Sequence, residues 1–240
     1  MWQIFTFDEV DSTNAVAKRF ALEGRGECAV AAARQTAGRG RLLRNWESPR
    51  GEGLWFSLLL RPENMPAAQA GGAVFVSALA MAEALAPFGE ALVKWPNDLV
   101  MGGKKLCGML AEAGFANGLC GWIVLGIGVN LLQTSFPDVL PHATSLLLQT
   151  GKRLAPEELL PRFLTCFEPW YARWQREGLS PILEGIRPLS ATLGRRVRIE
   201  GREGKALDFR EDGALLWRVE GKTEAVLAGD VSVRGLYGYV

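Results

Sequence analysis

The chain has 240 residues, of which 48% are hydrophobic and 22% charged, a balance typical of globular proteins. Its 27 basic and 26 acidic residues leave a net charge of +1, whereas a protein that mainly binds duplex nucleic acid usually has a stronger basic excess. A chain of this length forms one domain, or one domain with a small appendage, and it can bury a core without covalent cross-links.

The cysteine pattern and the N-terminus indicate a cytoplasmic protein. The four cysteines lie in separate apolar runs and form no CxxC pair, which is typical of reduced thiols in a core. The first residues, MWQIFTFDEV, contain no basic segment and no long apolar segment, so no signal peptide is expected. No apolar run reaches the roughly 18 residues of a membrane span, so none is expected either.

Strand-like and helix-like patterns alternate along the first part of the chain. WQIFTF predicts a strand, and DEVDSTNAVAKRFALEG predicts a helix with Ser12 or Thr13 as the N-cap and Gly24 as the stop. CAVAAA and LWFSLLL predict buried strands. PAAQAGGAVFVSALAMAEALAP predicts a core helix, and three further strands are predicted at ALVKWP, KKLCGMLAEA and GWIVLGIGVNL.

A long helix completes the first part of the chain, and the pattern changes after RPLSATLG, near residue 190. APEELLPRFLTCFEPWYARWQREG predicts an amphipathic helix that Pro161 and Pro169 can kink. After it, RRVRIEG, KALDFREDG, ALLWRVEG and TEAVLAGDVSVRG are four short alternating segments separated by glycine turns. They predict a small antiparallel barrel. We therefore divide the chain into domains at 1–190 and 191–240.

An arginine-rich loop, RQTAGRGRLLRNW, lies between two predicted strands. It does not run into a helix, so it is no dinucleotide-binding turn, and the chain contains no GxxxxGK[ST] motif. Its glycines allow close approach of the backbone to a ligand, and its arginines can bind phosphate or carboxylate oxygens. A solvated basic turn is the alternative, and the combination of glycines and arginines favours anion binding. These residues are Gly38, Gly40, Arg39, Arg41 and Arg44.

A second polar cluster is KWPNDLVMGGKKLCGMLAE. Asn97 and Asp98 follow a Trp-Pro pair at a strand-to-strand turn, whereas a simple Asx turn would need only one of them. Either Lys104 or Lys105 points inward if the strand alternates, and a buried ammonium needs an anionic partner. Periodicity alone does not choose between the two lysines. A third motif, GIGVNL, read alone is a bulge or a strand-end turn.

Taken in order, these motifs resemble those of the biotin–protein ligases, and the resemblance covers essentially the whole chain. The matching motifs are DSTN at 11–14, RQTAGRGR at 34–41 with Trp46, KWPND at 94–98, KLCGML at 105–110, GIGVNL at 126–131 and the C-terminal GALLW…GDVSVR. The resemblance implies an α+β fold, with a mixed α/β catalytic core around a central sheet, as in class II aminoacyl-tRNA synthetases. An SH3-like β-barrel would follow that core.

This sequence departs from the family's pattern at two places. Leu42 and Leu43 stand where the family's loop often has a polar residue and a second glycine, which concerns the loop's mobility more than its chemistry. Bifunctional members also carry a DNA-binding domain before the core, whereas this chain starts at the core. The resemblance therefore implies no repressor function, and we expect no DNA partner.

The family resemblance implies an ATP-dependent reaction in two steps. Biotin's carboxylate attacks the α-phosphate of MgATP to give biotinoyl-5′-AMP, and a lysine of the biotin carboxyl carrier protein of acetyl-CoA carboxylase then takes the biotinyl group. The implied catalytic residues are Lys105, which neutralises charge, Arg39, which clamps the anions, and Asp98, which orients or deprotonates the incoming lysine.

The resemblance also implies two sets of binding residues. The biotin-binding set is Ser12, Thr13, Asn14, Gln35, Gly38, Arg39, Gly40, Arg41, Lys105 and Gly108. The adenylate-binding set is Arg39, Arg41, Arg44, Trp46, Asn97, Lys105 and Asn130. The chain's single histidine cannot form a metal site, so magnesium would be held mainly by the nucleotide phosphates.

Two alternative functions were weighed against this one. A lipoate or octanoate ligase would share the fold and a lysine in the same role, but it would lack the GRGR and KWPND pair. A nucleic-acid-binding module is disfavoured by the near-neutral charge. We therefore expect a cytoplasmic enzyme, a monomer or weak homodimer, that has a carrier protein as partner and contacts no membrane.

Overall fold

The computed structural model describes residues 2–41, 45–227, 233–235 and 239–240. Within these ranges the chain forms a seven-stranded sheet, a five-stranded sheet and five α-helices. The predicted mixed α/β core with a central sheet is confirmed. Arg44, Leu42 and Leu43 lie outside the described residues.

The large sheet has the strand order β1-β2-β3-β7-β6-β5-β4. Strands β1 and β2 pair in parallel, and every other neighbouring pair is antiparallel. The strands are β1 Gln3–Val10, β2 Cys28–Gln35, β3 Gly53–Leu60, β4 Leu92–Lys94, β5 Asp98–Met101, β6 Lys104–Ala116 and β7 Leu119–Asn130. Strand β5 was not predicted: its four residues all lie buried in a hairpin with β4, so they show no alternation of polar and apolar side chains.

Helices cover both faces of this sheet. They are α1 Thr13–Leu22, α2 Gly72–Leu85, α3 Leu146–Thr150, α4 Pro156–Glu177 and α5 Ser180–Ile186, with 3₁₀ turns at Ala67–Gln69 and Arg187–Leu189. On β2, Ala29 and Ala31 join the apolar cluster that contains α2, α4 and α5, whereas Cys28 and Val30 join the cluster beneath α1. Successive side chains of β2 therefore alternate between the two faces of the sheet, and each face packs against its own layer of helices.

Two of the predicted helices have features that the sequence analysis raised. Helix α4 runs through Pro161 and Pro169 as one element. The segment Ala67–Leu85 is, within the described ranges, a helix long and apolar enough to cross a membrane by composition, although no such run was expected. Because 72% of its most apolar stretch is buried inside the protein, it is a core helix of this fold.

The small C-terminal sheet has the order β11-β10-β9-β8-β12 and is antiparallel throughout. Its strands are β8 Arg196–Ile199, β9 Arg202–Phe209, β10 Leu215–Val219, β11 Lys222–Val226 and β12 Val233–Gly235. The predicted small antiparallel domain is present as this sheet, which does not close into a barrel within the described residues because β11 and β12 do not pair there. The last predicted segment contains two strands. A domain boundary at 190/191 stays a prediction.

The small sheet packs on the large one next to the β4–β5 hairpin. The Trp95 indole nitrogen, in the turn between these strands, donates to the carbonyl oxygen of Gly213 at 2.9 Å. The rings of Phe75 and Phe209 lie 6.4 Å apart between centroids. The two sheets share one apolar cluster, so the C-terminal residues lie close to the polar motifs of the hairpin.

Candidate active site

The polar motifs of the sequence converge on one cavity of about 220 Å³. The start of α1, the end of β2, the arginine loop, the β4–β5 hairpin and strands β6 and β7 all contribute to its walls. The predicted site residues that line it are Ser12, Thr13, Asn14, Gln35, Arg39, Gly40, Arg41, Trp46, Asn97, Asp98, Lys105 and Gly108. Of the described members of the predicted sets, Gly38 and Asn130 lie elsewhere.

The wall formed by α1 and β2 is a network of fixed donors and acceptors. The Oε1 atom of Gln35 accepts from the Thr13 amide at 2.8 Å and from the Thr13 hydroxyl at 3.1 Å. The hydroxyl oxygen of Ser57, on β3, lies 2.7 Å from both Thr13 Oγ1 and Asn14 Oδ1. Because Thr13, Asn14 and Ser57 are buried, these groups are preoriented toward the cavity. Ser57 was not predicted from the sequence.

Glycines shape the cavity where side chains would collide. A Cβ atom at Gly126 would come 2.1 Å from Asn14 Oδ1, and one at Gly128 would come 2.4 Å from the Trp46 indole nitrogen. Gly38 packs against the loop backbone, where a Cβ atom would lie 2.4 Å from the Trp46 carbonyl oxygen. Gly38 was predicted to belong to the biotin-binding set. It shapes the loop instead and does not line the cavity.

Several of the described residues of the arginine loop, 34–41 and 45–46, contribute to the cavity wall. Arg39 pairs through its backbone with Asn45, and its side chain is exposed at the rim. The Arg41 guanidinium donates to Asn97 Oδ1 at 3.0 Å, and the Asn97 amide nitrogen donates to the Met109 carbonyl oxygen at 2.8 Å. The loop is thus tied to the hairpin and to β6.

Lys105 faces the cavity, and its neighbour Lys104 is exposed, which answers the question that periodicity left open. The Nζ atom of Lys105 lies 2.6 Å from Oδ1 of the buried Asp98 and 5.2 Å from the centroid of the Trp46 ring. Its backbone amide donates to the His142 carbonyl oxygen at 2.7 Å. Backbone and side chain together fix the position of this ammonium group.

Two residues of the cavity were missed by the sequence analysis as functional residues. Lys94, the first residue of KWPND, is 5% exposed and lines the cavity opposite Asp98 in the β4–β5 ladder. A lysine at the end of a buried strand could have been found from the motif alone. Tyr239 also lines the cavity, with its hydroxyl donating to Asp98 Oδ2 and the Lys94 ammonium 4.2 Å from its ring centroid. No local sequence signal marks Tyr239.

The thiol behind Lys105 takes no part in this polar cluster. Burial raises the pKa of the Cys107 thiol far above its usual range, and the Asp98 carboxylate raises it further against the opposing effect of Lys105. Cys107 is therefore a neutral thiol at physiological pH and no nucleophile.

A second cavity, of about 120 Å³, adjoins the first across the Trp46 indole, which lines both. Asn130 lies here, with its amide nitrogen donating to the Thr144 carbonyl oxygen at 3.0 Å. The Gln133 amide nitrogen donates to Asn130 Oδ1 at 3.1 Å, which turns Gln133 Oε1 away from Asn130. That oxygen and the Trp46 indole nitrogen are buried with no hydrogen-bond partner among the described residues.

The cavity offers cations and polar side chains. Within the described ranges, no group of three or more His, Cys, Asp or Glu side chains could hold an ion. Lys94, Lys105, Arg39 and Arg41 bring positive charge to a cavity that also has polar walls. Such a site is suited to bringing two anionic groups together.

The chain is similar to known protein ligases in both sequence and structure. The family model described as the biotin/lipoate A/B protein ligase family matches residues 6–130. The biotin–[acetyl-CoA-carboxylase] ligase of Paracoccus denitrificans is 34% identical over 94% of this chain and 98% of its own. The bifunctional ligase/repressor BirA of Bacillus spizizenii is 32% identical over 94% of this chain and 72% of its own.

Among solved structures, the biotin protein ligase of Aquifex aeolicus in complex with biotin and ATP has a TM-score of 0.85 and 30% identity, over 98% of this chain and 100% of that one. The fold is that of a ligase. The chain belongs to the biotin/lipoate A/B protein ligase family, and its full-length relatives there are biotin protein ligases.

Proposed function

We propose that this protein activates biotin with ATP as biotinoyl-5′-AMP and transfers the biotinyl group to a lysine of a biotin carboxyl carrier protein. The observation that carries the proposal is the place of Lys105, which lines the same cavity as Thr13 and Gln35 and has its ammonium 5.2 Å from the ring of Trp46, a residue that lines both cavities. Its partner Asp98 is a carboxylate, so a second carboxylate or a phosphate can bind the same ammonium group. Biotin is favoured over lipoate because the named relatives are biotin ligases.

In the first step, biotin's carboxylate oxygen bonds to the α-phosphorus of ATP and pyrophosphate leaves. Two anions must approach each other, and their repulsion would dominate the barrier in the absence of fixed positive charge. Lys105 supplies that charge at the reacting atoms, while Arg39 and Arg41 hold the phosphates from the loop. Closure of the loop would then exclude water from the mixed anhydride.

Biotin's ureido ring fits the network at the other end of the cavity. The ring presents one carbonyl acceptor and two N–H donors, so it needs a matched set of polar groups. Ser12, Thr13, Asn14 and Gln35 offer hydroxyl and amide groups there, and Ser12 makes no side-chain cap to α1 that would engage its hydroxyl. A buried, prearranged set of this kind favours its own ligand strongly over analogues that leave it unpaired.

The adenine of the adenylate fits the second cavity. Trp46 separates the two cavities, so a ligand whose acyl-phosphate lies at Lys105 can place its base beside the indole. Gln133 Oε1 is a buried acceptor that has no hydrogen-bond partner in the described part of the chain, and adenine carries an exocyclic amine that donates. Asn130, which was predicted for the adenylate, holds Gln133 in that orientation.

In the second step, the amine of the acceptor lysine attacks the acyl carbon, AMP leaves and the amine loses a proton. Asp98 was predicted to orient or deprotonate that amine. Its ion pair with Lys105 supports a first role in holding Lys105, and release of Asp98 from this pair would free it for the second step. ATP enters as its magnesium complex, with the ion held by the phosphates, since the described residues offer it no cluster of ligands.

The decisive test is incubation with biotin, ATP and a biotin carboxyl carrier domain, followed by an avidin blot and detection of AMP. We expect biotinylated carrier only when ATP is present, and none when the acceptor lysine is replaced by arginine. A parallel reaction with lipoic acid and a lipoyl domain tests the alternative substrate. Labelling of the lipoyl domain without labelling of the biotin carrier would reject the proposal.

We expect the cytoplasmic enzyme to be a monomer or weak homodimer that binds no operator DNA.

A further inference from the structure

Tyr239, next to the last residue of the chain, enters the cavity from the C-terminal end. Its hydroxyl donates to Oδ2 of Asp98, 141 residues earlier in the sequence. Its ring stacks on His142 with 5.5 Å between centroids, and the Lys94 ammonium lies 4.2 Å from the ring centroid. Two facing residues of the β4–β5 hairpin, Lys94 and Asp98, together with His142, therefore contact this one side chain.

The contact with Asp98 bears directly on Lys105. One oxygen of the Asp98 carboxylate pairs with the Lys105 ammonium, and the other accepts from Tyr239. A carboxylate held at both oxygens cannot rotate about its terminal bond, so it presents a fixed oxygen to the lysine. His142 links the same groups a second time, because its ring stacks on Tyr239 and its carbonyl oxygen accepts from the Lys105 amide.

We propose that Tyr239 is a positioning residue of the ligase site, whose hydroxyl orients Asp98 so that Lys105 is held where the two anions of the first step meet. The proposal rests on the proposed function above. It gives the C-terminal end of the chain a part in catalysis without any contact between Tyr239 and the reacting atoms. Electrostatic catalysis depends on such prior orientation, since a charge that must reorganise during the reaction stabilises the transition state less.

The test compares Tyr239→Phe with the wild-type protein in single-turnover formation of biotinoyl-AMP from labelled ATP. The change removes only the hydroxyl and keeps the ring against His142 and Lys94. Because hydrogen bonds to a charged group contribute roughly 1.5–3 kcal/mol, we expect the rate at saturating biotin and ATP to fall by about 10- to 150-fold, with the KM for biotin unchanged. Tyr171→Phe is the matched control, since the Tyr171 hydroxyl also donates to a carboxylate, Glu27, at 2.8 Å outside the cavity.

A double-mutant cycle distinguishes positioning through Asp98 from a general structural effect. In an Asp98→Ala background the tyrosine hydroxyl has lost its acceptor, so Tyr239→Phe should cause no further loss of rate. An equal loss in both backgrounds would overturn the proposal, as would a Tyr239→Phe protein with the wild-type rate. Unchanged thermal unfolding of Tyr239→Phe is expected, and a loss of rate that tracks a loss of folded protein also counts against it. If the wild-type protein itself forms no biotinoyl-AMP, the proposed function fails and not this assignment.

Discussion

The ammonium nitrogen of Lys105 lies 2.6 Å from a carboxylate oxygen of Asp98, and Asp98 is almost fully buried. The pair joins β6 to β5 at the point where β5 shifts its register, between Leu99 and Val100. This short contact holds the lysine nitrogen against the cavity wall. The ammonium group is therefore in place before any substrate arrives.

Replacing Lys105 by alanine should slow formation of biotinoyl-AMP by about 100- to 1,000-fold, which is typical for the loss of one preorganised electrostatic donor. Lys104→Ala is the matched control, and it should be nearly neutral because Lys104 is exposed. Arginine at position 105 should restore little activity, since a planar guanidinium replaces a compact ammonium poorly in a closed site. Single-turnover assays with labelled ATP measure all three variants. If Lys104→Ala slowed formation of biotinoyl-AMP strongly and Lys105→Ala kept the wild-type rate, this assignment would be wrong.

Replacing Arg39 by glycine should release the intermediate. The Arg39 side chain lies at the rim of the cavity, where it can hold the phosphate of biotinoyl-AMP. Hydrogen bonds from a charged group contribute roughly 1.5–3 kcal/mol, so retention of the intermediate should fall by about tenfold or more. Released biotinoyl-AMP would label lysines of unrelated proteins, which an avidin blot detects.

Arg153→Gly supplies the control for the Arg39 variant, because Arg153 is an exposed arginine in the loop before α4 and does not line either cavity. It should label only the carrier domain. If Arg39→Gly also labels only the carrier and retains its intermediate as the wild-type protein does, Arg39 is not part of the clamp.

The sequence predicts the site well where each motif is local. Each short motif contributes side chains to the cavity wall in the folded chain, among them Thr13, Gln35, Asn97 and Lys105. The large sheet was predicted in six of its strands, because long apolar runs between glycines and polar turns have a clear pattern. The distinction between Lys104 and Lys105 required the structure, since both lie at the start of β6, where the pairing partner decides the register.

Contacts between distant segments could not be predicted in the same way. Tyr239 contacts Asp98 across 141 residues, and a tyrosine near a chain end has no periodic or spacing signal. Ser57 is one buried residue in a strand whose eight residues are all buried, so nothing local distinguishes its polar contact with Asn14. The open form of the small sheet likewise depends on which of its edge strands pair.

Gly128→Ala should weaken ATP binding. The new Cβ atom would lie 2.4 Å from the Trp46 indole nitrogen, so the indole that separates the two cavities must move. Overpacking of this kind costs typically 1–3 kcal/mol, which corresponds to roughly a 5- to 150-fold loss in kcat/KM for ATP. Gly121→Ala is the control on the same strand, because the nearest atom to its Cβ would lie 3.7 Å away. An unchanged kcat/KM for ATP in Gly128→Ala would show that the position of Trp46 does not matter to the nucleotide.

Gln133→Leu should relax the preference for adenine. Asn130 Oδ1 accepts from the Gln133 amide nitrogen, and this fixes Gln133 Oε1 as an acceptor that is buried and has no partner among the described residues. Adenine offers an amine at the corresponding edge, whereas guanine offers an oxygen, so the wild-type protein should use ATP and reject GTP. Leucine keeps a similar volume but cannot accept, and loss of one hydrogen bond of about 1 kcal/mol raises the KM for ATP by roughly fivefold.

Gln133→Leu should also lower the ratio of kcat/KM for ATP to kcat/KM for GTP, because guanine's oxygen no longer faces a second acceptor. Gln149→Leu is the matched control: Gln149 is exposed, lines neither cavity and donates to the Thr144 hydroxyl at 2.8 Å. Steady-state assays with ATP and GTP, read as biotin transferred to the carrier domain, give kcat and KM for each nucleotide. If Gln133→Leu left the ratio of kcat/KM for ATP over GTP unchanged, the base would be recognised elsewhere. The proposal that adenine binds in the second cavity would then be wrong.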